Sequence, residues 1–183
     1  MTAPLRIAFG GRMQVGKTTA ADHLVVRHGF VKYALADPIK RIAEDAFGWD
    51  GAKDAPGRRL LQEIGTVGRH YDPELWLERF AARLKEDAPE RPVVDDLRLA
   101  LEVDYLERLG FTLVRITRPP DRIARQAAYD ARQGHETETE LDRVAFAHAI
   151  DNTGSIADLC ARVDALLCGP PVEGVLKNRK APP

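Results

Sequence analysis

The chain has 183 residues, 44% of them hydrophobic and 30% charged, and its 27 Lys and Arg nearly balance 28 Asp and Glu. That length suits one domain with a substantial core, and the composition is that of an ordinary soluble protein. The formal net charge of −1 argues against strong nonspecific attachment to nucleic acid or to an acidic membrane, while local basic clusters can still hold small phosphorylated ligands.

In chain order, Leu5 to Gly10 reads as a compact apolar strand, too short for a signal or membrane segment. A glycine turn and a helix from about Lys17 to Arg27 follow, then a second strand over Phe30 to Leu35 and a helix over Pro38 to Phe47. The stretch GWDGAKDAPG reads as a loop from its glycine and proline content. Helical periodicity returns over Arg58 to Ile64 and Pro73 to Lys85, where Leu75, Leu77, Phe80, Ala81 and Leu84 share one broad face. Pro92 to Val94 starts a strand that runs into Asp95 and Asp96; Val103 to Leu109 is helical and Phe111 to Thr117 is a strand stopped by Pro119-Pro120. The segment Asp121 to Arg132 is polar and arginine-rich. Glu140 to Ala149 reads as a helix, Ala149 to Asp151 as a last strand, and Ile156 to Leu167 as a final helix, with a flexible tail over 170–183. The two cysteines, Cys160 and Cys168, stand eight positions apart on that final helix, a spacing no disulfide can bridge. Free thiols in a reducing compartment, hence a cytoplasmic protein, are expected. The alternation of strands and helices predicts an α/β fold of three layers, with about five parallel strands covered by helices on both faces.

The chemistry begins at Gly11-Arg12-Met13-Gln14-Val15-Gly16-Lys17-Thr18, which matches G-x-x-x-x-G-K-[ST] at every fixed position, between a strand and a helix. This is the P-loop pattern. Glycines let the loop fold tightly, so that backbone N–H groups from Gly11 through Val15, Gly16, Lys17, Thr18 and Thr19 converge on phosphate oxygens at a helix N-terminus. Lys17 should reach the β- and γ-phosphates of ATP, and the Thr18 hydroxyl should ligate Mg²⁺. A glycine turn followed by a chance Lys-Thr is the competing account, and the flanking strand and helix speak against it. The N-K-x-D motif that reads guanine does not occur.

Five further segments accompany the P-loop: Ala34-Leu35-Ala36-Asp37-Pro38-Ile39-Lys40, Arg58-Arg59-Leu60-Leu61-Gln62-Glu63-Ile64-Gly65-Thr66 with Arg69 after it, Asp96-Leu97-Arg98-Leu99-Ala100-Leu101-Glu102, His135-Glu136-Thr137-Glu138-Thr139-Glu140-Leu141-Asp142, and Ile150-Asp151-Asn152-Thr153-Gly154-Ser155. In this order, from the P-loop to about Val163, they resemble the deoxynucleoside monophosphate kinases of tailed phages, relatives of dephospho-CoA kinase. The chain departs from that pattern where Leu99-Ala100-Leu101 replaces Phe-Pro-Asn and where Thr137 replaces Ser. The resemblance implies one P-loop kinase domain over 1–169, with an acceptor-binding region at about 37–90 and a lid at about 118–140.

Each segment also admits a physical reading of its own. Asp37 follows the second strand, at the end where parallel α/β sheets place ligands. It would serve as a base for a hydroxyl acceptor, or orient substrate or a metal-bound water for a phosphate acceptor that is already ionised; capping the helix at Pro38 is a third role. Lys40, Arg58, Arg69 and Arg98 are candidate clamps for the acceptor phosphate, since a guanidinium fork binds phosphate oxygens in pairs, and Gln62 is a candidate contact to the acceptor. Asp96, better than Asp95, suits a magnesium carboxylate beside Thr18; adjacent carboxylates on a strand point to opposite sides. Arg118, Arg122, Arg125 and Arg132 suit a lid that closes over the transferring group, with Arg122 and Arg125 as catalytic candidates, although an exposed charged helix would look the same. His135 lacks partners at zinc spacing. Asn152 lies where similar kinases approach the adenine of ATP, with Ser155 available as a helix cap. Trp76 is either core or a platform for the acceptor base.

The expectation is transfer of the ATP γ-phosphoryl group to a (deoxy)nucleoside monophosphate, with Mg²⁺ as cofactor and with Lys17, Asp37, Arg98, Arg122 and Arg125 in catalytic roles. No membrane or nucleic-acid partner is expected, and a homodimer is left open. A kinase of a hydroxyl acceptor, such as dephospho-CoA or a hydroxymethylated pyrimidine in DNA, is the nearest alternative; a nonenzymatic nucleotide-binding module is a second.

Overall fold

The structure, a computed structural model, describes residues 5–52, 54–119 and 140–168. Five strands form one parallel sheet: β1 (Arg6–Gly10), β2 (Val31–Tyr33), β3 (Pro92–Leu97), β4 (Phe111–Thr117) and β5 (His148–Asp151), in the order β2-β3-β1-β4-β5. The helices are α1 (Lys17–His28), α2 (Asp37–Phe47), α3 (Ala55–Tyr71), α4 (Leu75–Asp87), α5 (Ala100–Arg108) and α6 (Ile156–Cys168).

Strand periodicity sorts the core into two layers. Ile7, Phe9, Val93, Val114 and Ile116 face Ala20, Leu24, Leu159 and Val163 of α1 and α6. Their alternates Ala8, Val94, Leu97 and Leu113 face Leu77, Phe80, Leu84, Val103 and Leu106 of α4 and α5. With both faces covered, the central strands are apolar where the helices pack on them, and their polar residues lie toward the strand ends. Because every pair is parallel, the carboxyl ends of all five strands share one edge. β1 is flanked there by β3 and β4, so the loop that leaves Gly10 opens at the centre of that edge.

Four expectations from the sequence need correction. The helix expected over Arg58 to Ile64 is a longer 17-residue one, α3, that takes in the last three residues of the expected loop, because the Asp54 side chain accepts a bond from Gly57 N–H at 2.8 Å and Pro56 lies in the first turn. β3 runs on through Leu97, so Asp95 and Asp96 lie within the strand. α5 starts at Ala100, three residues before the expected Val103. Glu140 to Ala149 is not a helix: a 3-10 turn at Glu140–Arg143 leads to β5, while Leu141 is buried in the layer that α4 and α5 cover and Phe146 packs against the same layer. A Cβ on Gly10 would lie 2.8 Å from the Phe146 ring and 3.3 Å from Leu141, so these two side chains pack on the end of β1 without a helix to carry them. Among the described residues, no helix is long and apolar enough to cross a membrane. The expected lid, with Arg122, Arg125, Arg132 and His135, and the tail over 170–183 lie outside the described residues.

Candidate nucleotide-binding cleft

Residues 11–16 carry the chain from β1 into α1 by way of three left-handed positions: Gly11 at φ 137°, Gln14 at 63° and Gly16 at 108°. A side chain on Gly11 would run into the Ile116 carbonyl, and one on Gly16 would meet the Asn152 amide at 2.7 Å. These two glycines are therefore required by space as well as by torsion. The loop delivers the unpaired N–H groups of the first turn of α1 to the cleft, with the helix dipole behind them. Lys17 Nζ donates to the carbonyls of Gly11 at 2.6 Å and Arg12 at 2.7 Å, which curls the lysine back over its own loop.

The loop is braced from two distant elements. Asn152, 6% exposed after β5, donates through Nδ2 to the Val15 carbonyl at 2.9 Å, and its backbone N–H donates to Thr117 at 2.7 Å. Asp142 pairs with Arg12 at 2.6 Å and also with Arg115. Burial works against that carboxylate, but the bonds and charges of Arg12 and Arg115 hold it below the usual range. No sequence reasoning singled out this brace; the only trace was the final Asp of the Glu-Leu-Asp element.

The opposite wall comes from β2, β3 and the start of α2. Asp96 is half-buried at the cleft and accepts the N–H groups of Leu35 at 2.9 Å and Ala36 at 3.1 Å, pinning the β2–α2 turn; desolvation pushes its carboxyl up, against the pull of those two bonds. Asp95 points the other way, to Lys32 at 2.9 Å, and Lys32 also holds Asp22 at 2.9 Å. The two carboxylates thus diverge as strand geometry requires. Asp37 accepts from Ala34 N–H at 3.1 Å and from Lys40 at 2.9 Å, with Arg83 at 3.9 Å. Glu102 accepts the N–H groups of Arg98 at 2.7 Å and Leu99 at 2.9 Å at the head of α5; burial pushes it up to about 7 in spite of those bonds.

These walls enclose a cleft of about 830 Å³. Of the residues anticipated from sequence, Gly16, Lys17, Thr18, Thr19, Asp37, Lys40, Asp96, Arg98 and Asn152 line it together. Gly11 and Val15 shape the loop from behind. Arg58 and Gln62 are exposed on α3, and Arg69 bonds Thr66 within the same helix at 3.5 Å; none of the three is on the cleft wall. Trp76 is core: it fills the space over Gly68 and donates to the Gly65 carbonyl at 3.0 Å. Lys32 and Tyr33 join the wall without having been anticipated as site residues; Asp95, set second to Asp96 from sequence, lines it too, and so does Arg118, expected among the lid arginines, whose buried Nε has no hydrogen-bond partner. Arg118 follows β4 directly, so its place was readable only once the strand order was known. Among the described residues lining the cleft, the potential metal ligands are hydroxyl and carboxylate oxygens, with no His or Cys, a set that fits a hard cation such as Mg²⁺.

No family model matches the chain. A candidate deoxynucleotide monophosphate kinase from Acanthamoeba polyphaga mimivirus is 29% identical over 142 residues, which cover 62% of this chain and 74% of that protein. The uncharacterized protein ORF76 of Ictalurid herpesvirus 1 (strain Auburn) is 30% identical over 167 residues, 88% of this chain and 64% of its own length. Among solved structures, TT1252 from Thermus thermophilus superposes with a TM-score of 0.58 at 20% identity, over 91% of this chain and 98% of that one. Shikimate kinase from Aquifex aeolicus vf5 gives 0.53 at 15% identity, over 93% and 100%. At these identities the structural likeness establishes the fold, the P-loop α/β architecture that solved kinases share.

Proposed function

We propose that this chain is a magnesium–ATP phosphotransferase that passes the γ-phosphoryl group to a (deoxy)nucleoside 5′-monophosphate, giving the diphosphate and ADP. The observation that carries the reading is a single cleft in which the P-loop, Lys17 and Thr18 face Asp37, Lys40, Arg98 and Arg118. The mimivirus relative, named for deoxynucleotide monophosphates, supports the same substrate class.

Loop N–H groups and the α1 dipole hold the β- and γ-phosphates, and Lys17 exchanges its two carbonyl partners for phosphate oxygens. Mg²⁺ would be held by Thr18, with Asp96 reached through the lone pairs its backbone bonds leave over; when bound it neutralises charge on the β- and γ-oxygens. Lys40 and Arg98 clamp the acceptor phosphate, and Asp37 sets the direction of Lys40 through their 2.9 Å ion pair. A nucleotide phosphate with a second pKa near ~6 is largely dianionic at neutral pH, so the attacking oxygen needs no base. Catalysis then consists of alignment and charge neutralisation, without a covalent enzyme intermediate. Arg122 and Arg125, outside the described residues, are assigned to a lid that adds positive charge and excludes water.

The test is a panel of ribo- and deoxyribonucleoside monophosphates with Mg²⁺–ATP, read as nucleoside diphosphate formation, beside dephospho-CoA and shikimate as hydroxyl acceptors. Acceptor-dependent diphosphate formation is expected with at least one nucleotide. Turnover with a hydroxyl acceptor alone overturns the substrate class, and ATP binding without any acceptor-dependent turnover overturns the kinase.

A further inference from the structure

Toward the C-terminal end of α1, against α6 and outside the cleft lining, three ligand-bearing side chains converge. His23 Nε2 lies 2.6 Å from Asp164 Oδ1, and His28 Nε2 lies 2.7 Å from the same oxygen. The two rings stand nearly edge to face, 5.7 Å between centroids, and the ligand atoms of all three residues lie within 4.8 Å of one another. Among the described residues this is the one cluster of His, Cys, Asp and Glu with that geometry. It is also remote from phosphate chemistry. His23 and His28 are six and eleven residues beyond Lys17, so roughly 9 and 16 Å farther along the helix axis at 1.5 Å per residue.

We propose that His23, His28 and Asp164 form a binding site for a divalent transition metal of the zinc class, joining the end of α1 to α6. Two imidazole nitrogens and one carboxylate oxygen are a ligand set that zinc accepts, with the fourth position open to water. Zn–N and Zn–O bonds of about 2.0–2.2 Å place tetrahedral ligand atoms roughly 3.4 Å apart. The present 2.6 and 2.7 Å separations reach that value if the carboxylate withdraws by less than about 1 Å, and Asp164, with a side chain 46% exposed, has room to do so. His23, only 13% exposed, is already held by packing, so little ordering is left to the metal. Magnesium, which prefers oxygen ligands, should not compete for two imidazoles. Cys160 and Cys168 lie one helical turn on either side of Asp164 on α6, outside the cluster, and the test asks whether either thiol takes part. This inference does not depend on the proposed kinase reaction.

The metal-free full chain is titrated with Zn²⁺ in the presence of Mg²⁺, with unfolding temperature and the visible spectrum of the Co²⁺-substituted protein as further readouts. One equivalent of zinc should bind and raise the unfolding temperature, and Co²⁺ should show four-coordinate bands without thiolate charge transfer. His23→Gln and His28→Gln should each weaken zinc about tenfold or more, and the Cys160→Ser/Cys168→Ser double variant should bind normally. Asp164→Asn alters an exposed position and gives the same test if a histidine variant fails to fold. No zinc uptake, uptake unchanged in the histidine and aspartate variants, or uptake lost with the thiols would each overturn the assignment.

Discussion

The Asn152 side-chain amide donates to the carbonyl of Val15 at 2.9 Å, tying the turn after β5 to the P-loop across 137 positions of sequence. Sequence reasoning placed Asn152 near the adenine; the structure gives it a job in holding the loop's shape. Asn152→Ala leaves a buried carbonyl unpaired, which costs about 1–3 kcal/mol, and frees the wall beside Gly16. A lower denaturation midpoint together with a raised KM for ATP is expected. Urea denaturation and ATP-dependence measurements check it, and a variant normal in both would remove the brace.

Lys17→Ala should abolish phosphoryl transfer while leaving the fold intact, because the lysine sits at the cleft and donates to two carbonyls of its own loop. Circular dichroism establishes the fold and diphosphate formation the activity. Thr18→Ala loses one metal ligand and no positive charge, so it should raise the magnesium concentration needed for half-maximal rate. Near-normal turnover in a folded Lys17→Ala protein would show that the P-loop is not the site of transfer.

The acceptor arginines divide by position. Arg98 lines the cleft, whereas Arg58 is exposed on α3. A charged contact to phosphate is worth about 1.5–3 kcal/mol, so Arg98→Ala should lower kcat/KM for the monophosphate by about ten- to a hundredfold, with ATP binding less affected. Arg58→Ala should change it little. Initial rates against acceptor concentration decide the matter, and equal losses in both variants would mean that α3 moves into the site during turnover.

Glu102 supplies a pH signature. With its carboxyl pushed up to about 7, the folded chain binds this proton more tightly than the unfolded chain, whose value is near ~4.3. Its contribution to stability is therefore complete below the unfolded value and is lost as pH rises to about 7. Glu102→Gln keeps an oxygen for the Arg98 and Leu99 N–H groups and has no proton to lose. Measured by urea denaturation, the variant should gain stability relative to the parent between about pH 4.5 and 7 and hold that gain above. A constant difference across this range would mean that Glu102 does not titrate there.

Local sequence carried the frame of this protein and the half of the site that is contiguous. The P-loop spacing names itself, and α1 follows it at Lys17 as expected. β4 occupies Phe111–Thr117 as the run of apolar residues indicates, and the alternation of Ile7, Ala8 and Phe9 assigns each to its own layer. What depended on distant parts of the chain was settled only by folding. Asp142 reaches Arg12 across 130 positions, Asn152 reaches Val15 across 137, and Arg118 enters the cleft because β4 lies beside β1. The misjudged segment from Glu140 to Ala149 belongs with these, since its apolar residues imitate a helix face, yet Leu141 alone is buried while Val144 and Phe146 pack partly exposed against the same core layer. Periodicity and motif spacing record the forces between near neighbours in sequence. The braces and the far wall of the cleft arise from strand order, which depends on the packing of the whole core.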